Sequence, residues 1–229
     1  MINSQHIFII IPVYNEAKSV RAVITGLLQK GYSNIIVIDD GSAENIFNPI
    51  RNLPFIYMKH RVNLGQGAAL QTGLNFVKKQ DAQIVVTFDA DGQHCAEDIE
   101  KLIAPLIRNE ADIVIGSRFI ESDNNSMPLT RKIVLQSARF VNLLFSGILL
   151  SDAHNGLRAM NQKAINAIQI SENRMAHASE ILLEIKRHHL KCTEVPVNIS
   201  YTEASIKKGQ SSIDSIRILF DLVLHKLFK

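Results

Sequence analysis

Two aspartates stand one residue apart in Phe88-Asp89-Ala90-Asp91-Gly92-Gln93-His94, at the end of the apolar run 84–88 (IVVTF). Two carboxylates at the end of a buried strand are costly to desolvate unless a cation shares the site. Hard oxygen donors suit Mg2+ or Mn2+, which commonly bridge a few carboxylates to substrate phosphates. Gly92 allows the backbone to turn, and Gln93 and His94 could add a ligand or a phosphate contact. A bare Asp-x-Asp is also an ordinary solvated turn. Its place after a buried run, in register with the motifs below, favours the chemical reading.

Asp39-Asp40-Gly41-Ser42 follows a second apolar run, 35–38. A carboxylate there could accept from a nucleobase N–H or from ribose hydroxyls, and Asp-Gly-Ser equally suits a turn or a helix cap. The stretch 63–70 (NLGQGAAL) sets Gly65 and Gly67 ahead of a helix of small residues. Such a helix start could present N–H groups and a positive dipole end to an anion. It lacks the ending of a P-loop and the third glycine of the dinucleotide fingerprint; tight helix–sheet packing would explain the same glycines. Arg118 in Gly116-Ser117-Arg118 and Arg158 in the stretch 152–158 (DAHNGLR) could each grip a phosphate through two N–H groups. A surface ion pair is the plain alternative for either. Glu180 opens a helical stretch, where a carboxylate is either a general base or a favourable first-turn charge. Lys207-Lys208-Gly209 belongs to a basic loop that could close over a diphosphate, or lie exposed. His60, His188 and His189 have no zinc-like spacing and read as surface or packing residues.

These motifs fall where a repeating pattern of elements would put them. Apolar runs at 7–11, 35–38, 55–58, 84–88 and 113–115 alternate with helical stretches at 17–30, 66–79 and 96–109. Strands apolar on both faces, alternating with helices, predict an α/β fold with a parallel sheet covered on both sides. Ligands of such sheets bind beyond the carboxyl ends of the strands. The stretches 12–16, 39–42, 89–92 and 116–118 each follow an apolar run, as that rule requires.

Composition bounds the rest. The 229 residues are 46% hydrophobic and 21% charged, enough to bury a core. They predict one domain, 1–211, followed by an amphipathic helix, 212–229. The net charge of +3 is too mild to argue for nucleic acid. Cys95 and Cys192 give neither a disulfide framework nor metal-ligand spacing. The opening MINSQHIFIIIPVYNE lacks the parts of a secretory signal, and no run of 18 apolar residues occurs. The expectation is a cytoplasmic protein. Residues 118–130 predict a loop, 178–190 a helix and 192–201 a strand. Residues 131–150 and 212–228 each predict a helix with a broad apolar face and a narrow polar stripe. Such faces suit peripheral attachment to the inner face of the cell membrane, burial against the sheet, or a partner in a homodimer.

In this order, IPVYNE, VIDDGS, NLGQGAALQTG, FDADGQH, GSR, DAHNGLR and EVPV resemble glycosyltransferase family 2. Within it they are most similar to the branch of polyprenyl-phosphate and dolichol-phosphate sugar synthases. The resemblance spans residues 6–212 and is densest in 8–118. It implies a GT-A fold, Rossmann-like, with a mostly parallel sheet. It also implies inverting transfer from a nucleotide-diphosphate sugar, UDP- or GDP-linked, to a polyprenyl-phosphate or glycan acceptor in cell-envelope polysaccharide synthesis. By the same resemblance Pro12, Tyr14, Asn15 and Glu16 line the nucleotide pocket, and Asp40 approaches the base and ribose; Gly67, at the helix start described above, is expected at the substrate. Asp89, Ala90, Asp91 and Gln93 match the stretch that binds the diphosphate, and Asp89, Asp91 and Gln93 the ligands of Mg2+ or Mn2+. Arg118 and Arg158 match basic positions, and Glu180 the position of the proposed base, with Asp152 second. The stretch 201–212 departs from the branch: an arginine usual there is absent, and Lys207 and Lys208 precede Gly209.

The implied chemistry is one in-line displacement, with the leaving diphosphate neutralised by the cation, Arg118 and Lys207 or Lys208. A hydroxyl acceptor needs a base; an ionised lipid phosphate needs none. Two other classes compete. A nucleotide-sugar-binding module without turnover would not need Asp89, Asp91 and Arg118 intact. A sugar-1-phosphate nucleotidyltransferase would need a glycine-rich, arginine-containing loop where 12–16 stands.

Overall fold

A computed structural model of the chain describes residues 6–120 and 150–200. Its strands are β1 (Ile7–Val13), β2 (Asn34–Asp39), β3 (Ile56–Lys59), β4 (Ile84–Thr87), β5 (Ile113–Ser117), β6 (Arg158–Asn161) and β7 (Cys192–Pro196). They form one sheet in the order β3-β2-β1-β4-β6-β5-β7. Every residue of β1, β4 and β5 is buried, which is why these runs read as continuously apolar. All pairings are parallel except those of β6, which runs antiparallel to both β4 and β5.

The helices are α1 (Val20–Gln29), α2 (Phe47–Ile50), α3 (Gln66–Val77), α4 (Asp98–Ile107), α5 (Gln162–Ala167) and α6 (His177–Arg187). Successive strand residues point to opposite faces. Ile9 and Ile11 therefore join α1 and α4, through Ile24, Leu27, Ile99 and Leu102, in one core. Ile10 joins α3 and α6, through Leu70, Leu74, Ile181 and Ile185, in the other. Each fully buried side chain of this kind contributes about 2 kcal/mol. The two-sided covering expected from the sequence is what forms.

The main departure is β6, which the sequence reading did not anticipate. Its antiparallel direction sets Arg158 opposite Thr87 of β4 and Ile115 of β5. The loop before it, 152–157, thus arrives at the carboxyl ends of β4 and β5. The strand expected over 192–201 ends at Pro196, and Ile199 adds a single bridge to His94. The helices expected at 131–150 and 212–228, the loop over 121–130 and the boundary at 211 lie outside the described residues. Among the described residues no helix is long and apolar enough to cross a membrane.

Candidate active site

The chain leaves β4 with strand-like alternation intact. Phe88 and Ala90 are buried in the core, while Asp89 and Asp91 are partly exposed. Ala90 therefore contributes packing beneath the site, and its methyl group does not line it. Asp89 Oδ1 accepts from Gln66 Nε2 at 2.9 Å, and Oδ2 meets His94 Nε2 at 3.0 Å. Burial by itself would raise the Asp89 carboxyl. The His94 hydrogen bond and the positive field of His94, Arg158 and His177 reverse this and hold it below its ordinary value. Asp91 behaves oppositely. Burial pushes its carboxyl up, the Gln93 N–H at 2.9 Å opposes this, and the charges of Asp89 and Glu16 add to the rise.

That environment suits a cation. Among the described residues no group of three or more His, Cys, Asp or Glu side chains forms a metal cage. Asp89 and Asp91 give two hard carboxylate donors, with the Gln93 amide close in sequence. The set fits a divalent ion that draws its other ligands from phosphate and water. A cation there would also relieve the like-charge crowding at Asp91.

The loops after β1 and β2 are tied to each other. Pro12 lies in β1, and Val13 O accepts from Asp40 N–H at 2.8 Å. Asn15, at φ 54°, donates its N–H to Ser42 Oγ at 3.0 Å, and its Oδ1 accepts from Ala43 N–H at 3.0 Å. Glu16 accepts from Ser19 Oγ at 3.0 Å, and Tyr14 stands 48% exposed.

Asp40 is enclosed. It meets His60 Nδ1 at 2.7 Å and accepts from Asn63 Nδ2 at 2.9 Å, Leu64 N–H at 3.0 Å and Gly65 N–H at 2.7 Å. The anion held ahead of α3 is thus the chain's own carboxylate. Further along, Ala68 N–H goes to Asn173 O at 3.1 Å. A Cβ on Gly67 would lie 2.0 Å from Glu172 O, and one on Gly65 2.3 Å from Asn173 O. Close packing against 172–173 accounts for both glycines. His60, expected as a surface or packing residue, bridges Asp40 and Thr72 Oγ1, the latter at 2.9 Å.

Arg118 and Asp152 form a two-pronged pair, Nε to Oδ2 at 2.6 Å and Nη2 to Oδ1 at 2.7 Å. Glu194 holds the Asp152 backbone by accepting its N–H at 2.8 Å. Arg158 is 1% exposed, so a surface pair does not describe it. Its Nη2 donates to Ala153 O at 3.1 Å, and its Nε has no partner. Burial lowers its pKa to about 10, against the charges of Asp89 and Asp152, so it remains a cation near neutral pH. Glu180 accepts the N–H groups of Ser171 and Glu172 at 2.9 and 2.8 Å. Lys207 and Lys208 lie outside the described residues.

Sequence reasoning missed two neighbours of Asp89. Gln66 was visible only as the residue between two glycines. His177, 3% exposed with Nδ1 2.7 Å from Arg174 O, gave no signal. Burial first, and then the charge of Arg158, depress its pKa to about 4.

The sheet is parallel except for β6 and carries Asp89-Ala90-Asp91 at the carboxyl end of β4, which is the mostly parallel sheet expected of a GT-A fold. Residues 8–169 match the family described as Glycosyl transferase family 2, and the chain belongs to that family. A relative in Methanocaldococcus jannaschii, called Uncharacterized protein MJ1222, is 35% identical over 99% of this chain and 95% of its own length. A second, the UDP-N-acetylglucosamine--dolichyl-phosphate N-acetylglucosaminyltransferase of Methanococcus voltae, is 35% identical over 97% of each. The polyprenol monophosphomannose synthase of Mycolicibacterium smegmatis is 25% identical over 93% of this chain and 84% of its own. Among solved structures, glucosyl-3-phosphoglycerate synthase from Mycobacterium tuberculosis, with Mn2+ and UDP-glucose, shares the fold. Its TM-score is 0.68 at 16% identity, covering 95% of this chain and 76% of that one.

Proposed function

We propose that the chain transfers a sugar, with inversion and with a divalent cation, from a UDP-sugar to a polyprenyl or dolichyl phosphate. The observation that carries this reading is the Asp89–Asp91 pair at the carboxyl end of β4, one carboxyl depressed and the other raised. The Methanococcus voltae relative supports the UDP donor and the lipid phosphate, and makes UDP-N-acetylglucosamine the first donor to test.

Asp89 and Asp91 would hold the cation, with Gln93 as a third donor. When bound, the cation neutralises the charge that develops on the leaving diphosphate. Arg158 adds a fixed positive charge from beneath the site, and Asp152 orients the half-exposed Arg118 at its edge. Tyr14, Asn15 and Glu16 would form the nucleotide side of the pocket, and Lys207 or Lys208 would add positive charge at the leaving diphosphate. A lipid phosphate is already ionised near neutral pH and attacks without a base. The state of the carboxylates supports that choice. Glu180 is engaged by two backbone N–H groups, and Asp152 by Arg118 and Asn155.

The test is a melting series with UDP, GDP, CDP and dTDP, each with and without Mn2+. A ligand at about 100 times its Kd adds about 2.7 kcal/mol, which in a domain of this size raises Tm by about 5–10 °C. The expected result is a Mn2+-dependent shift with UDP, lost in Asp91→Ala. UDP release from UDP-N-acetylglucosamine should then require dolichyl phosphate. A folded protein that shifts with none of the nucleotides would refute the reading.

A further inference from the structure

Asp89 is gripped from two sides. Gln66, the first residue of α3, donates to Oδ1, and His94, from the turn after β4, meets Oδ2. A third wall is backbone: a Cβ at position 156 would lie 2.1 Å from Oδ2, so a side chain there would push the Asp89 carboxylate aside. Gly156 O is itself fixed by the Thr87 hydroxyl at 2.6 Å. The His94 ring is well anchored. Its side chain is 5% exposed, and it meets Phe88 edge to face with centroids 5.4 Å apart. The backbone on either side is held by the His94–Ile199 bridge and by Ser200 N–H donating to Gln93 O at 2.9 Å.

His94 Nδ1 is buried with no hydrogen-bond partner. An ionised carboxylate only accepts, so the proton of the His94–Asp89 bond sits on Nε2. A buried polar atom left without a partner calls for an explanation, and here the ring is oriented for the sake of its other nitrogen. Each carboxylate oxygen has two lone-pair directions. Gln66 and His94 use one on each oxygen and leave the other on each.

We propose that Gln66 and His94 are positioning residues that clamp Asp89, so that its remaining lone pairs are aimed at the divalent cation. The clamp rests on the metal reading above. Neither residue contacts the cation or the substrate. Each acts through Asp89, in the way that partners of metal ligands set ligand orientation.

The test is calorimetric titration of Mn2+ into the full chain with UDP present, for the natural protein, His94→Phe, His94→Gln and Gln66→Leu. His94→Phe keeps the ring packing and loses the donor; it should weaken Mn2+ binding about 10- to 100-fold. His94→Gln carries an N–H donor and should recover most of that loss. Gln66→Leu removes the opposite donor and should weaken binding in the same sense, and it decides the matter if His94→Phe does not fold. Natural affinity in His94→Phe or in Gln66→Leu would overturn the clamp. So would His94→Gln binding no better than His94→Phe, since packing alone would then explain the ring. If the natural protein, folded and with UDP, takes up no Mn2+, the metal reading falls and the clamp with it. If it binds and the variants bind equally, only the clamp falls.

Discussion

Asp40 is an anion enclosed by its own chain, and its removal has a calculable effect. Four donors from residues 60–65 converge on a carboxylate that is 2% exposed. Asp40→Asn keeps the volume but puts an N–H2 where one oxygen stood, facing donors it cannot satisfy. One or two buried donors left unpaired should lower stability by about 3 kcal/mol, a fall in Tm of about 6–12 °C. Unfolding in urea measures it, and an unchanged midpoint would mean that the 60–65 loop does not depend on the carboxylate. His177 supplies a pH dependence. The unfolded chain protonates it near pH 6.5, the folded chain near about 4. Between those values the unfolded state binds more protons, so stability falls as pH falls. From pH 6.5 to 5 the loss from this residue should be about 2 kcal/mol. His177→Phe should flatten that part of the stability–pH curve. An unchanged slope would mean that the buried imidazole is not held neutral.

At the scale of elements, the approach of α6 to α3 is set by a short loop. Glu180, in the first turn of α6, accepts from Ser171 and Glu172, and Asn173 O caps Ala68 of α3. Gly65 and Gly67 make room for that loop. Glu180→Ala should therefore release the loop, at a cost of about 1–2 kcal/mol, and reduce kcat less than tenfold. A general base would instead contribute about 10²-fold or more. A loss of kcat of that size with unchanged Tm would restore the base role. These contacts also explain what the sequence made legible. β1, β2, β4 and β5 were readable because burial on both faces leaves a local signature, and the motif positions followed from the carboxyl-end rule. β6 was not. Arg-Ala-Met-Asn has no apolar run, and it is a strand only because β4 and β5 flank it. For the same reason the depth of Arg158, the enclosure of Asp40 and the loop contacts of Glu180 were hidden. Each depends on a partner distant in sequence, and periodicity carries no information about that.

At the scale of the whole molecule, the proposed reaction would bring a water-soluble donor and a lipid acceptor together at one edge of one sheet. The stretches 12–16, 39–42, 89–94, 116–118 and 152–158 all gather at the carboxyl ends of β1, β2, β4 and β5. Among the described residues no helix is long and apolar enough to cross a membrane. The sequence offers Lys207, Lys208, Arg217, Lys226 and Lys229 alongside the apolar face expected for 212–228. Each cation near an anionic surface is worth about 1 kcal/mol, and an apolar helix face adds its burial. The full chain should therefore co-sediment with liposomes containing phosphatidylserine. The pelleted fraction should fall on raising the salt, since surface attraction is screened, and fall again on truncation after Ser212. A chain that stays in the supernatant at low salt would refute surface attachment. Its apolar faces would then be covered by protein, and the lipid phosphate would have to leave the bilayer to reach Asp91.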